Sequence, residues 1–284
     1  CFGRADCFLV PTFAGSIHFN RFRMIRQVIF SLLLLSALSS SAQVTDHKPA
    51  QYNVSGILWQ QQSGEYKALC YQAYNLARMR LEEILRTYRD TVPLAIVTDV
   101  DETVLDNSIG AAKDIVSGRT YNDSSWKVWV EYAKAPAMPG AVEFFNYAAQ
   151  HGVQCFYITN RKETDKAATI RNLKEQGFPQ VDAMHVMCKQ GSVSDKEPRR
   201  QEVAKQYNIV LLLGDNLNDF DDLFFDKPTV VRNANVDKVQ SYFGSRYIML
   251  PNATYGDWEN ALWHGKKLSA EEKDKLKWDS LVIY

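Results

Sequence analysis

Five short apolar runs punctuate the chain: Leu94–Thr98, Val153–Ile158, residues 183–187, Ile209–Leu213 and Tyr247–Leu250. Near-continuous apolar runs of this length fit strands buried on both faces, because a strand with one wet face would alternate polar and apolar positions. Between them the spacing predicts helices over 64–89, 140–150 introduced by Pro139-Gly140, 164–176 ending at Gly177, and 195–207. The tail from Ser269, with Glu271, Glu272, Lys273 and Lys275, reads as a solvated terminal helix. Strands and helices alternating in this way predict an α/β fold, a doubly wound parallel sheet with helices on both faces.

Two of these runs end in acids. Leu94–Thr98 delivers Asp99 and, two residues on, Asp101; Ile209–Leu213 delivers Gly214, Asp215 and then Asp219. Side chains two apart on a strand point the same way, so Asp99 and Asp101 are expected to crowd one spot at the carboxyl end of the sheet, where open α/β sheets bind ligands. Taken alone, an Asp-x-Asp is as readily a strand followed by an acidic turn. Carboxylates gathered at one point need a cation or a shared proton to offset them, and oxygen ligands suit magnesium. Gly214 reads as permitting a tight exit from the strand. Val153–Ile158 leads into Thr159-Asn160-Arg161, where a hydroxyl and backbone N–H groups can hold a phosphate oxygen, although Thr159 by itself also fits a helix cap. Lys196 lies in Ser194-Asp195-Lys196-Glu197, whose spacing predicts a capping box with Ser194 at the N-cap. A cation in a first helical turn is disfavoured by the macrodipole unless an anion sits beside it; a solvated surface lysine is the alternative.

With these motifs in their order, the chain resembles the phosphatases of the haloacid dehalogenase superfamily, and within them the class C acid phosphatases, the bacterial surface acid 5'-nucleotidase lipoprotein type. The matching stretches are Asp99-Val-Asp-Glu-Thr103 with Val104-Leu-Asp-Asn-Ser108, Thr159-Asn-Arg161, Asp195-Lys-Glu-Pro-Arg-Arg200, Gly214-Asp-Asn-Leu-Asn-Asp-Phe220 and Leu250-Pro-Asn-Ala-Thr-Tyr-Gly-Asp-Trp-Glu259. The resemblance implies that Asp99 is the nucleophile forming a phosphoaspartate. Asp101 would be the general acid, then the base that activates water. Magnesium would be held by the Asp99 carboxylate, the Asp101 main-chain carbonyl and Asp215, with Asp219 a ligand through water or a support. Lys196, Thr159 and Asn160 would bind phosphate, and Thr103 would orient the loop. A small, mainly helical cap is implied, with elements near 50–90 and 109–135. Aromatics of a leaving group would stack there, with Asn107, Trp126, Tyr255 and Trp258 as substrate candidates; Trp126 and Trp129, three apart, equally fit a packed helix face. The implied activity is hydrolysis of phosphomonoesters, nucleoside monophosphates among them, and a homodimer is suggested although no self-complementary patch is legible. A non-catalytic binding or storage protein on the same scaffold is the rival, and the presence of Asp99 with its partners argues against it.

The first 42 residues carry a different signal. Arg21, Arg23 and Arg26 precede the apolar stretch Val28–Leu38, and Ser40-Ser41-Ala42 follows, the layout of an export signal over 24–42. The stretch is shorter than the roughly 20 residues a spanning helix needs, so no transmembrane span is expected and the protein is read as periplasmic or secreted. Met24 reads as the start, with 1–23 extraneous and 43–284 the phosphatase domain. No cysteine lies just after the apolar stretch, which argues against a lipid anchor. Cys70, Cys155 and Cys188 cannot all pair within one chain, and no Cys–His spacing points to zinc. Acids and bases balance, 33 of each among 284 residues, which leaves no basic footprint for a nucleic-acid polymer.

Overall fold

Every residue of Leu94–Thr98 is buried, as a strand covered on both faces must be, and it is the middle strand of a five-stranded parallel sheet. The computed structural model describes residues 53–284. The export signal over 24–42, the segment 1–23 and the junction as far as residue 52 lie outside the described residues. The described chain runs α1 (Val54–Gln62), α2 (Gly64–Thr87), β1 (Leu94–Thr98), α3 (Ser108–Val116), α4 (Asp123–Tyr132), α5 (Ala141–Gln150), β2 (Gln154–Lys162), α6 (Lys166–Glu175), β3 (Val186–Lys189), α7 (Glu197–Ala204), β4 (Asn208–Gly214), α8 (Thr229–Lys238), β5 (Tyr247–Met249), α9 (Asp257–Asn260) and α10 (Ala270–Asp279).

Strand alternation sorts β1 between two cores. Leu94 and Ile96 pack with Tyr66, Tyr74 and Leu81 of α2 and with Phe144 and Phe145 of α5, whereas Ala95 and Val97 face Val203, Phe220 and Tyr247. The stripe Tyr66, Cys70, Ala73, Tyr74, Ala77 and Leu81, spaced by threes and fours, is what lays α2 on the sheet, and the Ser63 hydroxyl caps its start by accepting the Tyr66 N–H at 3.1 Å. Within the expected cap region near 50–90, the apolar face of α2 belongs to the main core. Segment 109–135 does supply two separate helices, α3 and α4, and α1 packs against α3.

The strand order β3-β2-β1-β4-β5 matters for the chemistry. The chain leaves β1 for β2 and β3 on one side, then returns to β4 and β5 on the other, so the loops after β1 and β4 part and open a crevice at the carboxyl ends of these neighbours. Thr98 stands opposite Leu213, and the Asp99 N–H donates to the Leu213 carbonyl at 2.9 Å, which brings the two strand ends level.

Three boundaries differ from the sequence reading, each for a local reason. β2 continues to Lys162, burying Thr159 and Arg161 while Asn160 and Lys162 face out; its polar end is tolerated because the inward side chains meet a carboxylate. β3 begins at Val186 rather than near 183. α7 starts at Glu197, and the carboxylate of Asp195, not the hydroxyl of Ser194, accepts the Glu197 N–H at 2.9 Å. Pro198 in the first turn lacks an N–H and presets the helical φ, which places the helix start after Lys196. Among the described residues no helix is long and apolar enough to cross a membrane.

Candidate active site

β1 and β4 each hand one acid to the crevice, Asp99 and Asp215, and the 3-10 turn Leu217–Asp219 adds a third. One oxygen from each of these carboxylates lies within 4.8 Å of the other two. Gly214 permits the approach: a Cβ there would stand 2.4 Å from both Cβ and Oδ2 of Asp219. Its φ lies outside the left-handed region, so the glycine is required for space rather than for the tight exit expected of it. The turn is held by its own cap, with Asn216 accepting the Asn218 N–H at 3.2 Å and Asp219 Oδ2 accepting the Asn216 N–H at 3.0 Å. Asp215 accepts from the Asn252 amide at 2.7 Å and from the Thr103 hydroxyl at 3.3 Å. Lys196, at the edge of α7, donates to Asp99 Oδ1 and, at 2.6 Å, to Asp219 Oδ1. The anion expected beside this lysine is thus a pair of carboxylates from the protein.

Asp101 goes elsewhere. β1 stops at Thr98, so the two-residue alternation that was to place Asp99 and Asp101 together no longer applies. Asp101 turns to β2, accepting from Arg161 Nη2 at 2.7 Å, from Arg161 Nε at 3.0 Å and from the Thr159 hydroxyl at 3.2 Å. Asn107 adds its amide at 2.9 Å. Asn160 lines the same cavity, and its side-chain oxygen accepts from Arg199 Nη2 at 2.7 Å. Between the two acids' loops, Glu102 holds a left-handed backbone with φ 56°, a conformation costing a non-glycine residue roughly 1–3 kcal/mol. The buried carboxyl that holds it there accepts the Asn107 N–H at 2.7 Å and the Tyr255 hydroxyl.

Burial raises the Asp99 carboxyl to about 7; Lys196 opposes that rise, and the charges of Asp219 and Asp101 add to it. Burial, then Asp219 and Asp99, put Asp215 well above the usual carboxylate range. For Lys196 burial works against the charge, but Asp219 and Asp99 reverse it and hold the ammonium above its ordinary value. Fully ionised, the three carboxylates would outweigh the one ammonium by two negative charges. An all-oxygen donor set with that deficit fits a hard divalent cation.

A sequence-family model describing the HAD superfamily, subfamily IIIB (acid phosphatase), matches residues 32–258. The chain belongs to this family. A solved structure of the class C acid phosphatase from Bacillus anthracis is 40% identical, covers 83% of this chain and 98% of that one, and superposes with a TM-score of 0.79. The same enzyme's tungstate-bound crystal structure is 39% identical, with the same coverage and a TM-score of 0.79. Among plant relatives, acid phosphatase 1 of Solanum lycopersicum is 27% identical over 131 residues, 43% of this chain and 50% of that protein. The stem 28 kDa glycoprotein of Glycine max is 27% identical over 166 residues, 56% of this chain and 62% of that protein. The chain spans less than two thirds of the length of these plant proteins.

In this subfamily IIIB acid phosphatase the acids lie in a cavity of about 550 Å³ whose outer wall includes Asn107, Trp126, Trp129 and Tyr255. Trp258 is not part of that wall; its indole N–H donates to the Tyr255 carbonyl at 3.1 Å. Asn107 has little left to offer a ligand, because its Oδ1 already accepts from Trp129 Nε1 at 2.8 Å and from Arg161 at 3.3 Å. Sequence reasoning passed over several groups that build the site. Arg161 and Glu102 stand inside the quoted motifs, where a charge beside a strand end was the available signal. Arg200 joins α7 to the Asp219 turn by donating to the carbonyls of Asn218 and Asp219 at 2.9 and 3.1 Å, and Arg199 donates to the Thr159 carbonyl at 2.6 Å. Asn252 also stands inside a quoted motif, but its pairing with Asp215, 37 residues away, was not legible there.

Proposed function

We propose that the chain hydrolyses phosphomonoesters through a phosphoaspartate on Asp99. The observation that carries this reading is the convergence of Asp99, Asp215, Asp219 and Lys196 at the carboxyl ends of adjacent strands, at the floor of an open cavity. An Asp99 oxygen attacks phosphorus, and the bond to the departing oxygen breaks with its electron pair. Asp101 gives that oxygen a proton, then takes one from the water that cleaves the phosphoaspartate, returning Asp99 and releasing phosphate. The Lys196 ammonium compensates charge on the phosphoryl oxygens beside Asp99. Asp99, Asp215 and Asp219, with the Asp101 main-chain carbonyl, would hold magnesium, which when bound neutralises phosphoryl oxygens in the transition state. Thr159 lies beside Asp101 and is our candidate for a further phosphate contact.

The aromatic outer wall of the cavity supports flat leaving groups, nucleoside monophosphates among them. That the Bacillus anthracis enzyme has been solved with tungstate bound supports the binding of a phosphate-like oxyanion by this chain. Export is supported by the charged, apolar and small-residue layout of 24–42. The deciding experiment is release of inorganic phosphate from 4-nitrophenyl phosphate and from nucleoside monophosphates at mildly acid pH. Asp99→Asn is expected to abolish turnover, and chelation to abolish it reversibly. Full activity in either preparation would overturn the mechanism.

A further inference from the structure

The donors gathered on Asp101 are shared unequally between its two oxygens. Oδ1 accepts from Arg161 Nη2 at 2.7 Å, Asn107 Nδ2 at 2.9 Å and Arg161 Nε at 3.0 Å. Oδ2 has only longer contacts, Arg161 Nε at 3.3 Å and the Thr159 hydroxyl at 3.2 Å. A carboxylate oxygen offers two lone pairs, so Oδ1 is fully engaged by donors at 3.0 Å or closer, whereas the contacts of Oδ2, at 3.2 and 3.3 Å, are longer and more easily exchanged for another partner. Arg161 is itself immobilised. Its side chain is 1% exposed, its Nη1 donates to the Thr169 hydroxyl at 3.3 Å, and its Nη2 reaches Asn107 Oδ1 at 3.3 Å. Trp126 of α4 lies against the guanidinium, 5.6 Å from its carbon to the ring centre. Trp129 of the same helix holds Asn107, so α4 reaches Asp101 by two routes.

We propose that Arg161 is the positioning residue of the proton-transfer step. Its fork, with Asn107, pins Oδ1 and leaves Oδ2 as the atom that delivers the proton to the departing oxygen and recovers one from water. Trp126 acts on the reaction through Arg161, in addition to walling the cavity. This rests on the assignment of Asp101 as acid and base. A planar fork is needed, and a lysine, which keeps the charge as a single point, does not supply one.

The test compares kcat/KM for 4-nitrophenyl, phenyl and ethyl phosphate, whose departing oxygens are progressively more basic and depend progressively more on a proton. Arg161→Lys and Arg161→Gln are expected to lose about tenfold or more activity on ethyl phosphate relative to 4-nitrophenyl phosphate, in parallel with Asp101→Asn. Equal losses along the series for the Arg161 variants, with graded losses for Asp101→Asn, overturn the positioning role and leave the reading of Asp101 intact. Equal losses for Asp101→Asn overturn both. Should circular dichroism show the Arg161 variants unfolded, Trp126→Leu decides. A greater loss on ethyl phosphate supports the proposal. A flat loss, or a greater loss on the aryl esters from missing stacking, overturns it.

Discussion

Replacing Gly214 with alanine adds one methyl group at the end of β4, and two effects of opposite sign follow. Gly214 has no left-handed φ, so alanine meets no backbone strain and, by restricting the unfolded chain, would stabilise by roughly 0.4–1 kcal/mol. Against that, the new Cβ would lie 2.4 Å from Cβ and Oδ2 of Asp219, where carbon atoms rest at about 3.5–4.0 Å. Relief requires more than an ångström of movement, and Asp219 Oδ2 is tied to the Asn216 N–H while Oδ1 is tied to Lys196. Overpacking of this kind costs about 1–3 kcal/mol, so the clash outweighs the entropic gain. At roughly 2–4 °C per kcal/mol for a domain of this size, Tm falls by several degrees. Displacement of a carboxylate by about 1 Å is worth up to roughly a hundredfold in rate, so kcat/KM falls further than stability suggests. Thermal unfolding and phosphate release measure the two quantities. A double-mutant cycle with Asp219→Gly, which removes the colliding atoms, is expected to be strongly non-additive in stability. An alanine variant as stable and as active as the parent would refute the packing argument.

Three further outcomes are expected. Because burial raises Asp99 to about 7 and lifts Asp215 well above its usual range, the folded metal-free protein retains protons that the unfolded chain releases above about pH 4. Its stability should fall as pH rises toward 7, and the stabilisation from added magnesium should grow over that window; a thermal-shift series showing an increment that is flat or largest at low pH contradicts this. Asn252→Ala strips Asp215 of its amide donor and is expected to weaken divalent-cation affinity about 10- to 100-fold, measurable by calorimetry; unchanged affinity would remove Asn252 from the site. Tyr255→Phe keeps the ring but takes a donor from buried Glu102, at a cost of about 1–3 kcal/mol. Denaturant unfolding at the parent's midpoint would show that this bond contributes nothing.

The parts of the site that could be read from the chain are those whose cause is local. Asp99 and Asp215 follow directly on apolar runs, and a buried strand with an acid at its carboxyl end needs only its neighbours in sequence to be recognised. The order of such runs was also enough for a doubly wound sheet. Misreadings arose where two local signals competed. Ser194 and Asp195 both have N-cap chemistry, and the start of α7 chose Asp195. Thr159-Asn-Arg161 reads as lying beyond the strand end at Ile158, but continues β2 because its inward side chains find Asp101.

By itself the sequence determined which residues are available for chemistry and which strand ends carry them, since hydrophobic periodicity and strand-end composition are properties of short stretches. Only the tertiary structure decided who pairs with whom. Lys196 meets Asp99 across 97 positions and Arg161 meets Asp101 across 60. The different partners of the two acids, two positions apart in the chain, are these distant cations. A buried carboxylate turns to whichever cation the fold brings within reach, and that reach depends on strand order and helix packing.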